Sequence, residues 1–300
     1  MLRVVSSSIP LFLACALVAC SPKNIGINRM ADALSSTASS YSRDDDPEFV
    51  RLAAPSTLKM VEMLLESQPA HPGLLMTACS GFTQYAYGFL QVEAEQAEPR
   101  DRAAAAELRG RALRMYERAR GYCQRAVELR HPGVGVALKA DPAQALASMT
   151  VADVPALFWL GASVGGSVAV ADRPILRLGE VAIVRAVMAR ALALDERWEH
   201  GAIHEAMIAL DGMPTLLGGS AARAREHFDR AIALSNGTSA LAYVTMASSV
   251  AKPAKDRAEF KRLLEAALAI DASRAPALRL ANLIAQRRAR WLLSQIDRIF

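Results

Sequence analysis

The sequence predicts an all-α protein built from stacked helical hairpins. Of its 300 residues, 52% are hydrophobic but only 6% are aromatic, and much of the apolar content is Ala and Leu, which favour helices. Long Ala/Leu-rich segments alternate with short breakers that contain Pro, Gly or Asn-Gly, as expected when helices are joined by tight turns. Runs of Val, Ile, Thr and Tyr beside hairpin turns, which are typical of strands, are scarce. We therefore expect almost no sheet.

The N-terminus has the features of a targeting segment. Residues 1–3 carry a positive charge, residues 9–19 are apolar but too few to span a bilayer, and residues 17–20 are Leu-Val-Ala-Cys. This ending resembles the lipobox of bacterial lipoproteins, which implies a signal peptide at residues 1–19 and attachment of diacylglycerol and an acyl chain such as palmitate to Cys20. Ser21, in place of Asp, suggests the outer membrane. The alternative is an ordinary secretory signal in which Cys20 is coincidental.

The mature chain is expected to begin with a tether and to continue as one folded body. Residues 20–46 contain a Ser-rich stretch and the acidic run Asp44-Asp45-Asp46, which is typical of a lipidated tether with at most a short helix. Pro47 then opens an all-helical domain over residues 47–300. Within it, periodicity and breakers predict helices at residues 47–67, 73–95, 99–129, 153–170, 174–194, 199–213, 220–234, 239–250, 255–270 and 273–296.

Four of these segments repeat one pattern. A large residue is followed by Ala four positions later and by an aliphatic residue three positions after that, so all three share one helical face. The alanines are Ala126, Ala191, Ala231 and Ala267, separated by 65, 40 and 36 residues. The last two steps, and half of the first, lie near the TPR period of about 34 residues. This predicts TPR-like hairpins in a compact curved solenoid. An unrelated helical bundle is the alternative, because Ala-rich amphipathic helices imitate the pattern.

The cysteines leave one question about the fold open. Cys15 would leave with the signal peptide and Cys20 would carry lipid, so Cys79 and Cys123 remain in an oxidising compartment. They form either one disulfide between neighbouring helices or two separately buried thiols, since sequence does not give the Cα separation that a bridge requires.

Charged residues are spread along the chain and predict a solvated helical surface. The formal net charge is +5, but basic and acidic residues are interspersed, which argues against a nucleic-acid partner. One local excess lies near the C-terminus, where Arg287, Arg288 and Arg290 precede Trp291. It is either a cationic helix face or a patch for an acidic partner or an anionic headgroup.

No sequence pattern gives positive evidence for catalysis, a cofactor or a metal. Gly161-Ala-Ser-Val-Gly165 fits the nucleophile elbow of serine hydrolases, but it falls inside a predicted helix that no strand precedes. His200 and His204 are four residues apart on one predicted helix, yet Ile208 stands where the zinc motif HExxH needs its second histidine. Residues 154–171 carry no charge and reach the threshold for a membrane span. We expect a buried central helix there, because a lipid anchor already supplies membrane attachment.

Several stretches, in order along the chain, resemble the T-component family of TRAP transporters. They are residues 158–165, 172–174, 195–205, 214–219, 224–231 and 282–300, with a looser fit from about residue 25. The resemblance implies a non-enzymatic periplasmic lipoprotein, lipidated at Cys20, that works with a solute-binding protein of a TRAP system. It also implies a ring-forming homotrimer with a central hydrophobic channel, through which a small apolar organic acid would pass between the partners.

Within this resemblance, seven side chains are candidates for ligand or partner contact. An aromatic wall would bury an apolar ligand, and an arginine would pair with its carboxylate. The alternative for each residue is a structural role in the core or at a helix end. The candidates are Phe158, Trp159, Arg173, Trp198, His204, Asn282 and Arg288.

Two other functions compete with transport. A TPR lipoprotein scaffold for cell-envelope assembly would use the same repeats to hold peptide segments, with an exposed groove and no enclosed apolar cavity. An enzyme would have a polar pocket with convergent titratable groups.

Overall fold

The computed structural model describes Arg29, residues 31–34 and residues 38–300. Every regular element in this part of the chain is helical and no strand occurs in it, so the predicted all-α class is confirmed. The signal peptide predicted at residues 1–19 and the lipidation site Cys20 lie outside the described residues.

The described chain is a series of α-helices joined by short connections. Single turns of 3₁₀ helix occur at Val151–Asp153, Pro174–Arg177, Trp198–Gly201, Thr215–Leu217, Ala272–Arg274 and Pro276–Leu278, and π-helical turns at Ala86–Gln91 and Ala247–Ala251. The α-helices are α1 Ala38–Ser42, α2 Pro47–Ser67, α3 Pro72–Tyr85, α4 Val92–Ala97, α5 Arg102–Glu128, α6 Val134–Ala140, α7 Pro142–Leu146, α8 Val154–Ala169, α9 Leu178–Leu194, α10 Ala202–Asp211, α11 Ala221–Leu234, α12 Ala240–Met246, α13 Arg257–Ala269, α14 Arg279–Ser294 and α15 Ile296–Ile299.

Consecutive helices pack as hairpins, as the repeat pattern predicts. Helix α5 packs against α3 and α4, α9 against α8, α11 against α10, and α13 against α12. The second helix of each hairpin carries one of the repeat alanines, and all four alanines are buried: Ala126, Ala191, Ala231 and Ala267. A small side chain at this position lets the partner helix approach closely, which is the physical basis of the TPR-like hairpin.

Polar caps explain where the predicted helices begin. Asp46 accepts hydrogen bonds from the N–H groups of Glu48 and Phe49, and Pro47 occupies the first turn, where its missing N–H costs nothing. Ser220 caps α11 in the same way. The prediction missed α6 and α7, which have only 7 and 5 residues. These helices are too short for apolar periodicity to reveal them.

The C-terminal helix closes the row of hairpins into a ring. Helix α14 packs against α13 on one side and against α1 and α2 on the other. It runs parallel to α3 and α4. A Cβ on Gly88 would lie 3.2 Å from Ile284 Cδ1, Arg288 pairs with Glu95, and an Arg298 N–H donates to the Pro99 carbonyl at 3.3 Å. The solenoid therefore returns to its own first hairpin.

A disulfide joins the two helices of the first hairpin. Cys79 of α3 and Cys123 of α5 are bonded, with their Cα atoms 4.9 Å apart, and both are fully buried. Of the two alternatives left open by the sequence, the structure has the bridge.

Helix α8 lies in the core. With the turn before it, residues Val151–Ala169 are long and apolar enough to cross a membrane, but the helix packs against α3, α5 and α9. Ser163 is fully buried, and its hydroxyl donates to the Leu160 carbonyl at 2.9 Å. The serine therefore lies inside a helix and not on a strand-to-helix turn, which excludes the nucleophile elbow.

Stacking of the hairpins gives the ring two distinct edges. The hairpin-turn edge collects the connections within hairpins, residues 98–101, 170–177, 212–220 and 252–256. The return edge collects the connections between hairpins, residues 129–153, 195–201, 235–239 and 270–278. His71, in the connection from α2 to α3, also lies at the return edge. Its Nε2 is 3.3 Å from a carboxylate oxygen of Asp32, which brings the N-terminal residues to this edge.

Candidate functional site

Three of the predicted contact residues form one aromatic cluster. Phe158 and Trp159 lie at the start of α8, and Trp198 lies in the 3₁₀ turn before α10. The Phe158 ring centroid is 4.9 Å from that of Trp159 and 4.6 Å from that of Trp198, and the two indole centroids are 6.4 Å apart. Phe158 is buried, whereas both tryptophans are partly exposed. The cluster is thus an aromatic surface at the return edge of the ring.

A left-handed turn positions Trp198. Glu199 and His200 have φ values of 45° and 59°, and Gly201 follows at 92°. A non-glycine residue in this region costs about 1–3 kcal/mol of strain, so the surrounding packing must hold the turn. The predicted helix at residues 199–213 was therefore too long, since α10 begins at Ala202. His200 is exposed outside the helix that carries His204, and the two do not share a helical face.

His204 pairs with a histidine from the next helix. Its Nδ1 is 2.8 Å from Nδ1 of His227 on α11, and its Nε2 is 3.5 Å from a carboxylate oxygen of Glu196. Burial and then the neighbouring His227 lower the pKa of His204, and burial lowers the pKa of His227. A hydrogen bond between two Nδ1 atoms needs one of them unprotonated, so at least one ring is neutral. The described residues contain no group of three or more metal-binding side chains.

Arg288 belongs to a group of charged and phenolic side chains that we call the interior polar cluster, formed by Tyr87, Glu95, Glu205 and Arg288. Arg288 Nε and Nη2 donate to the two Glu95 oxygens at 2.7 and 3.2 Å, and Nη1 lies 3.5 Å from the Tyr87 hydroxyl. Burial raises the pKa of Tyr87, the charge of Arg288 opposes this, and the charges of Glu95 and Glu205 raise it further. Residues distant in sequence therefore share one electrostatic environment inside the ring.

Glu205 is the least compensated carboxyl group of this cluster. It accepts a hydrogen bond from the Ser239 hydroxyl, but burial dominates and raises its pKa to about 7. Glu205 is therefore partly protonated at neutral pH, whereas Glu95 lies against a guanidinium.

The remaining predicted residues lie elsewhere. Asn282 is buried, accepts the Ala240 N–H at 2.9 Å and donates to the Thr238 carbonyl at 2.8 Å, so its amide caps α12. Arg173 is exposed at the hairpin-turn edge, opposite the aromatic cluster. The structure therefore gathers Phe158, Trp159 and Trp198, and it distributes the other four predicted side chains over different parts of the ring.

Two of the clefts in the described part of the chain are too small for a ligand. One, of about 10 Å³, lies between α2, α4 and α14, and the other, of about 30 Å³, lies between α5, α6 and α8. A drug-sized ligand needs about 300 Å³ or more, so neither cleft has room for an organic ligand, and neither contains a predicted contact residue.

The sequence model of the TRAP transporter T-component family matches residues 43–300. The chain belongs to this family. As a T-component, it is an accessory protein of TRAP-type transport, and the match covers every hairpin described above.

One relative of this T-component is an uncharacterized protein of Treponema pallidum (strain Nichols). It is 26% identical over 265 residues, which are 87% of this chain and 82% of that protein. The similarity thus extends over nearly the whole length of both chains.

Sequence reasoning missed three of the four residues in the interior polar cluster. Tyr87 and Glu95 carry no motif, and Glu95 meets Arg288 across 193 positions of sequence. Glu205 follows His204 of the rejected zinc pattern and carries no motif of its own. Tyr87, Gln91 and Glu95 are spaced four residues apart in the first hairpin, which places them on one helical face. This spacing is the signal that could have identified Tyr87 and Glu95 as inward-facing.

Proposed function

We propose that this T-component is a lipid-anchored accessory protein that binds a periplasmic solute-binding protein of a TRAP system. The family match over residues 43–300 carries the proposal. In it, Cys20 bears the lipid, the anchor lies in the outer membrane, and the folded body is on the periplasmic side. The partly exposed Trp159 and Trp198 support contact with an apolar ligand, since ligand sites are lined mainly by apolar and aromatic side chains.

In this proposal the protein also passes a small apolar organic acid between the two partners. The aromatic cluster supplies apolar contact with the ligand. Arg288, which pairs with Glu95 in this structure, supplies a cation that pairs with the ligand carboxylate in its place. Neither of the two clefts described above, of about 10 and 30 Å³, has room for such a ligand, so neither serves as its path. His204, Asn282 and Arg173 act in this scheme as supporting or partner-contacting residues.

The proposal includes a homotrimer, as the family resemblance implies. Helix α2 offers a surface for self-association. Four of its large apolar side chains are exposed, and their spacing places them along one side of the helix: Phe49, Leu52, Met60 and Met63. Exposed apolar stripes of this kind mark contact surfaces more often than free ones.

Scaffolding of cell-envelope assembly is the second candidate function. It would use the helical repeats to hold peptide segments on an exposed face and would need no enclosed apolar cavity. It predicts binding to outer-membrane or assembly proteins and no requirement for a solute-binding protein.

Direct binding tests the transport proposal. The chain with Cys20→Ala, exported behind a secretory signal whose cleavage does not depend on lipidation, would be purified from the periplasm and mixed with the TRAP-type solute-binding protein of the same organism. We expect a saturable interaction with a Kd in the micromolar range or tighter by biolayer interferometry, and no binding to an unrelated periplasmic binding protein. Absence of binding, together with capture of outer-membrane assembly proteins, would favour the scaffold.

Metabolic labelling tests the anchor separately. The unaltered chain should incorporate labelled palmitate, whereas Cys20→Ala should not. Cys15→Ala is the matched control, because it lies in the same N-terminal segment and should leave labelling unchanged.

A further inference from the structure

The connection between α10 and α11 displays one leucine to solvent. Leu216, in the 3₁₀ turn Thr215–Leu217, is 95% exposed. Leu176, in the corresponding connection of the preceding hairpin, is 74% exposed at the same hairpin-turn edge. Single exposed leucines are common on protein surfaces, so the exposure alone decides nothing. What distinguishes Leu216 is how firmly the turn around it is held.

A buried carboxylate helps to hold this turn in place through hydrogen bonds with arginine side chains. Asp211 is 1% exposed, and its carboxylate accepts hydrogen bonds from Arg185 Nη1 at 2.8 Å and Arg223 Nη2 at 3.0 Å. Burial opposes its ionisation, but the hydrogen bonds of Arg223 and Arg185 lower the pKa of Asp211 overall. The same Arg223 Nη2 donates to the Gly218 carbonyl at 2.6 Å. The ion cluster therefore ties the far end of the turn to α9 and α11.

The backbone of the turn is equally constrained. Gly219 N–H donates to the Pro214 carbonyl at 3.2 Å, and Ser220 N–H donates to the Asp211 carbonyl at 2.7 Å. Gly218 has a φ of 81°, and a Cβ on Gly219 would lie 1.6 Å from the Met213 carbonyl oxygen. Both positions require glycine. A side chain at Gly218 would be strained by the positive φ, and one at Gly219 would clash with the backbone where the chain doubles back. Leu216 is thus presented on a rigid turn, which lowers the entropy lost when it binds.

Charges around the two leucines are mainly basic. Arg173 is exposed in the connection that holds Leu176, and Lys252 and Lys255 are exposed in the connection that follows the Leu216 hairpin. Asp172 is the exposed acid beside Arg173, while the Asp256 side chain accepts the Glu259 N–H as the cap of α13. A partner surface with carboxylates at its rim would complement this edge.

The N-terminal end of the chain lies at the other edge. Asp32 contacts His71 at the return edge, and the nine residue steps from Cys20 to Arg29 span at most about 30 Å. Under the proposed function, the lipid anchor at Cys20 therefore joins the folded body from the return edge, and the hairpin-turn edge lies at the other end of the helices. This geometry favours a soluble protein over a bilayer as the occupant of the hairpin-turn edge.

We propose that Leu216 and Leu176, flanked by Arg173, Lys252 and Lys255, form the docking surface for a soluble protein that presents an apolar recess with an acidic rim. Under the proposed function this partner is the solute-binding protein, so the inference rests on that proposal. Leu216 fills the recess, and the basic side chains orient the partner and speed association. Asp211 acts as a positioning residue, because it holds the turn without touching the partner.

Substitution of the exposed leucines tests the surface. Leu216→Asp and the double variant with Leu176→Asp would be compared with the unaltered chain, all carrying Cys20→Ala, for binding to the purified solute-binding protein. We expect Kd to rise at least about tenfold for Leu216→Asp, as for a central anchor residue, and further for the double variant. Val136→Asp is the matched control, because Val136 is 77% exposed at the opposite edge. It should change Kd less than about threefold, and all variants should keep the circular dichroism spectrum and thermal midpoint of the unaltered chain.

Each outcome separates this inference from the function on which it rests. If the unaltered chain does not bind the solute-binding protein, the proposed function is wrong, and the docking surface that rests on it is wrong as well. If the unaltered chain binds and Leu216→Asp binds equally well, the docking surface alone is wrong. Co-flotation of the Cys20→Ala chain with anionic vesicles, abolished by Leu216→Asp, would assign the edge to a bilayer and overturn the proposal. A change of oligomeric state in Leu216→Asp would assign it to a second copy, with the same consequence.

Discussion

Two carboxyl groups on α10 show how neighbouring side chains decide protonation. Asp211 at the end of the helix meets the guanidinium groups of Arg185 and Arg223, which outweigh burial and lower its pKa. Glu205, less than two turns earlier, accepts a hydrogen bond from the Ser239 hydroxyl, and burial raises its pKa to about 7. One helix therefore carries a permanent anion at the hairpin-turn edge and a titrating group inside the ring.

Glu205 makes stability depend on pH in a defined direction. Its pKa is near the ordinary value of 4.5 in the unfolded chain and about 7 in the folded chain. Between these values the folded state holds more protons, so the free energy of unfolding falls as pH rises. Glu205→Gln removes the free-energy cost of ionising this buried carboxyl group. We expect the variant to match the unaltered chain at pH 4.5 and to exceed it by about 1–3 kcal/mol at pH 8, measured by urea unfolding.

Comparison of the two chains at each pH cancels the contribution of all other titrating groups. A Glu265→Gln variant serves as control, because Glu265 is exposed on α13 and pairs with Lys261 at 3.7 Å. An equal stability difference for Glu205→Gln at both pH values would show that folding does not raise the pKa of Glu205.

At the residue scale, the sequence identified side chains by type and motif but not by partner. Phe158, Trp159 and Trp198 stand in recognisable stretches, and the structure places them together. Asn282 looked like a binding residue, yet its amide caps α12, a contact 42 positions away in sequence. Such pairings depend on how hairpins stack, which no local pattern records.

At the scale of elements, helices with polar caps and clear breakers were predicted well. α2 begins and ends at the predicted residues because Asp46 and Pro47 fix its start and the Pro69–Pro72 connection follows its end. Prediction failed where the backbone departs from regular helix. Left-handed residues at Glu199 and His200 delay the start of α10, and nothing in their composition distinguishes them from helix formers.

The disulfide should contribute strongly to the first hairpin. It closes a loop with a sequence separation of 44 residues, for which chain-entropy arguments give about 2–4 kcal/mol. We expect the Cys79→Ala/Cys123→Ala double variant to lose this amount in urea unfolding and to be insensitive to dithiothreitol. The unaltered chain should fall to a similar stability when it is unfolded and refolded with dithiothreitol, and unchanged stability there would contradict a bonded pair.

The exposed stripe of α2 leads to a prediction about assembly. If Phe49 and Met60 contact a second copy, aspartate at both positions should place charges in that interface and dissociate the proposed trimer. Light scattering after gel filtration should then give the monomer mass for Phe49→Asp/Met60→Asp. Leu216→Asp is the reciprocal control, expected to keep the oligomer while losing the partner. A trimer that survives substitution of α2 must use another surface.

At the scale of the whole molecule, ring closure is the feature least accessible from sequence. The repeats predict a curved solenoid, and stacking of adjacent hairpins follows from local contacts of the TPR type. Closure depends on α14 meeting α3 and α4 through contacts such as Arg288 with Glu95, about 200 residues apart in the chain. The sequence cluster Arg287, Arg288 and Arg290 looked like a surface patch, yet Arg288 points inward to Glu95 while Arg287 and Arg290 remain exposed.

A double-mutant cycle on this pair measures how much closure adds to stability. Arg288→Met leaves the Glu95 carboxylate inside the ring without its guanidinium, and we expect a loss of about 2–4 kcal/mol in urea unfolding. Glu95→Gln should also destabilise, but the double variant should lose at least about 1 kcal/mol less than the sum, because each single variant strands the other group. Lys261→Met is the control, since the exposed pair of Lys261 with Glu265 should contribute less than about 0.5 kcal/mol. If the stability losses of Arg288→Met and Glu95→Gln are strictly additive, the pair does not contribute to ring closure. Apolar packing then holds α14 against the first hairpin, and the pair serves the interior polar cluster with Tyr87 and Glu205 instead.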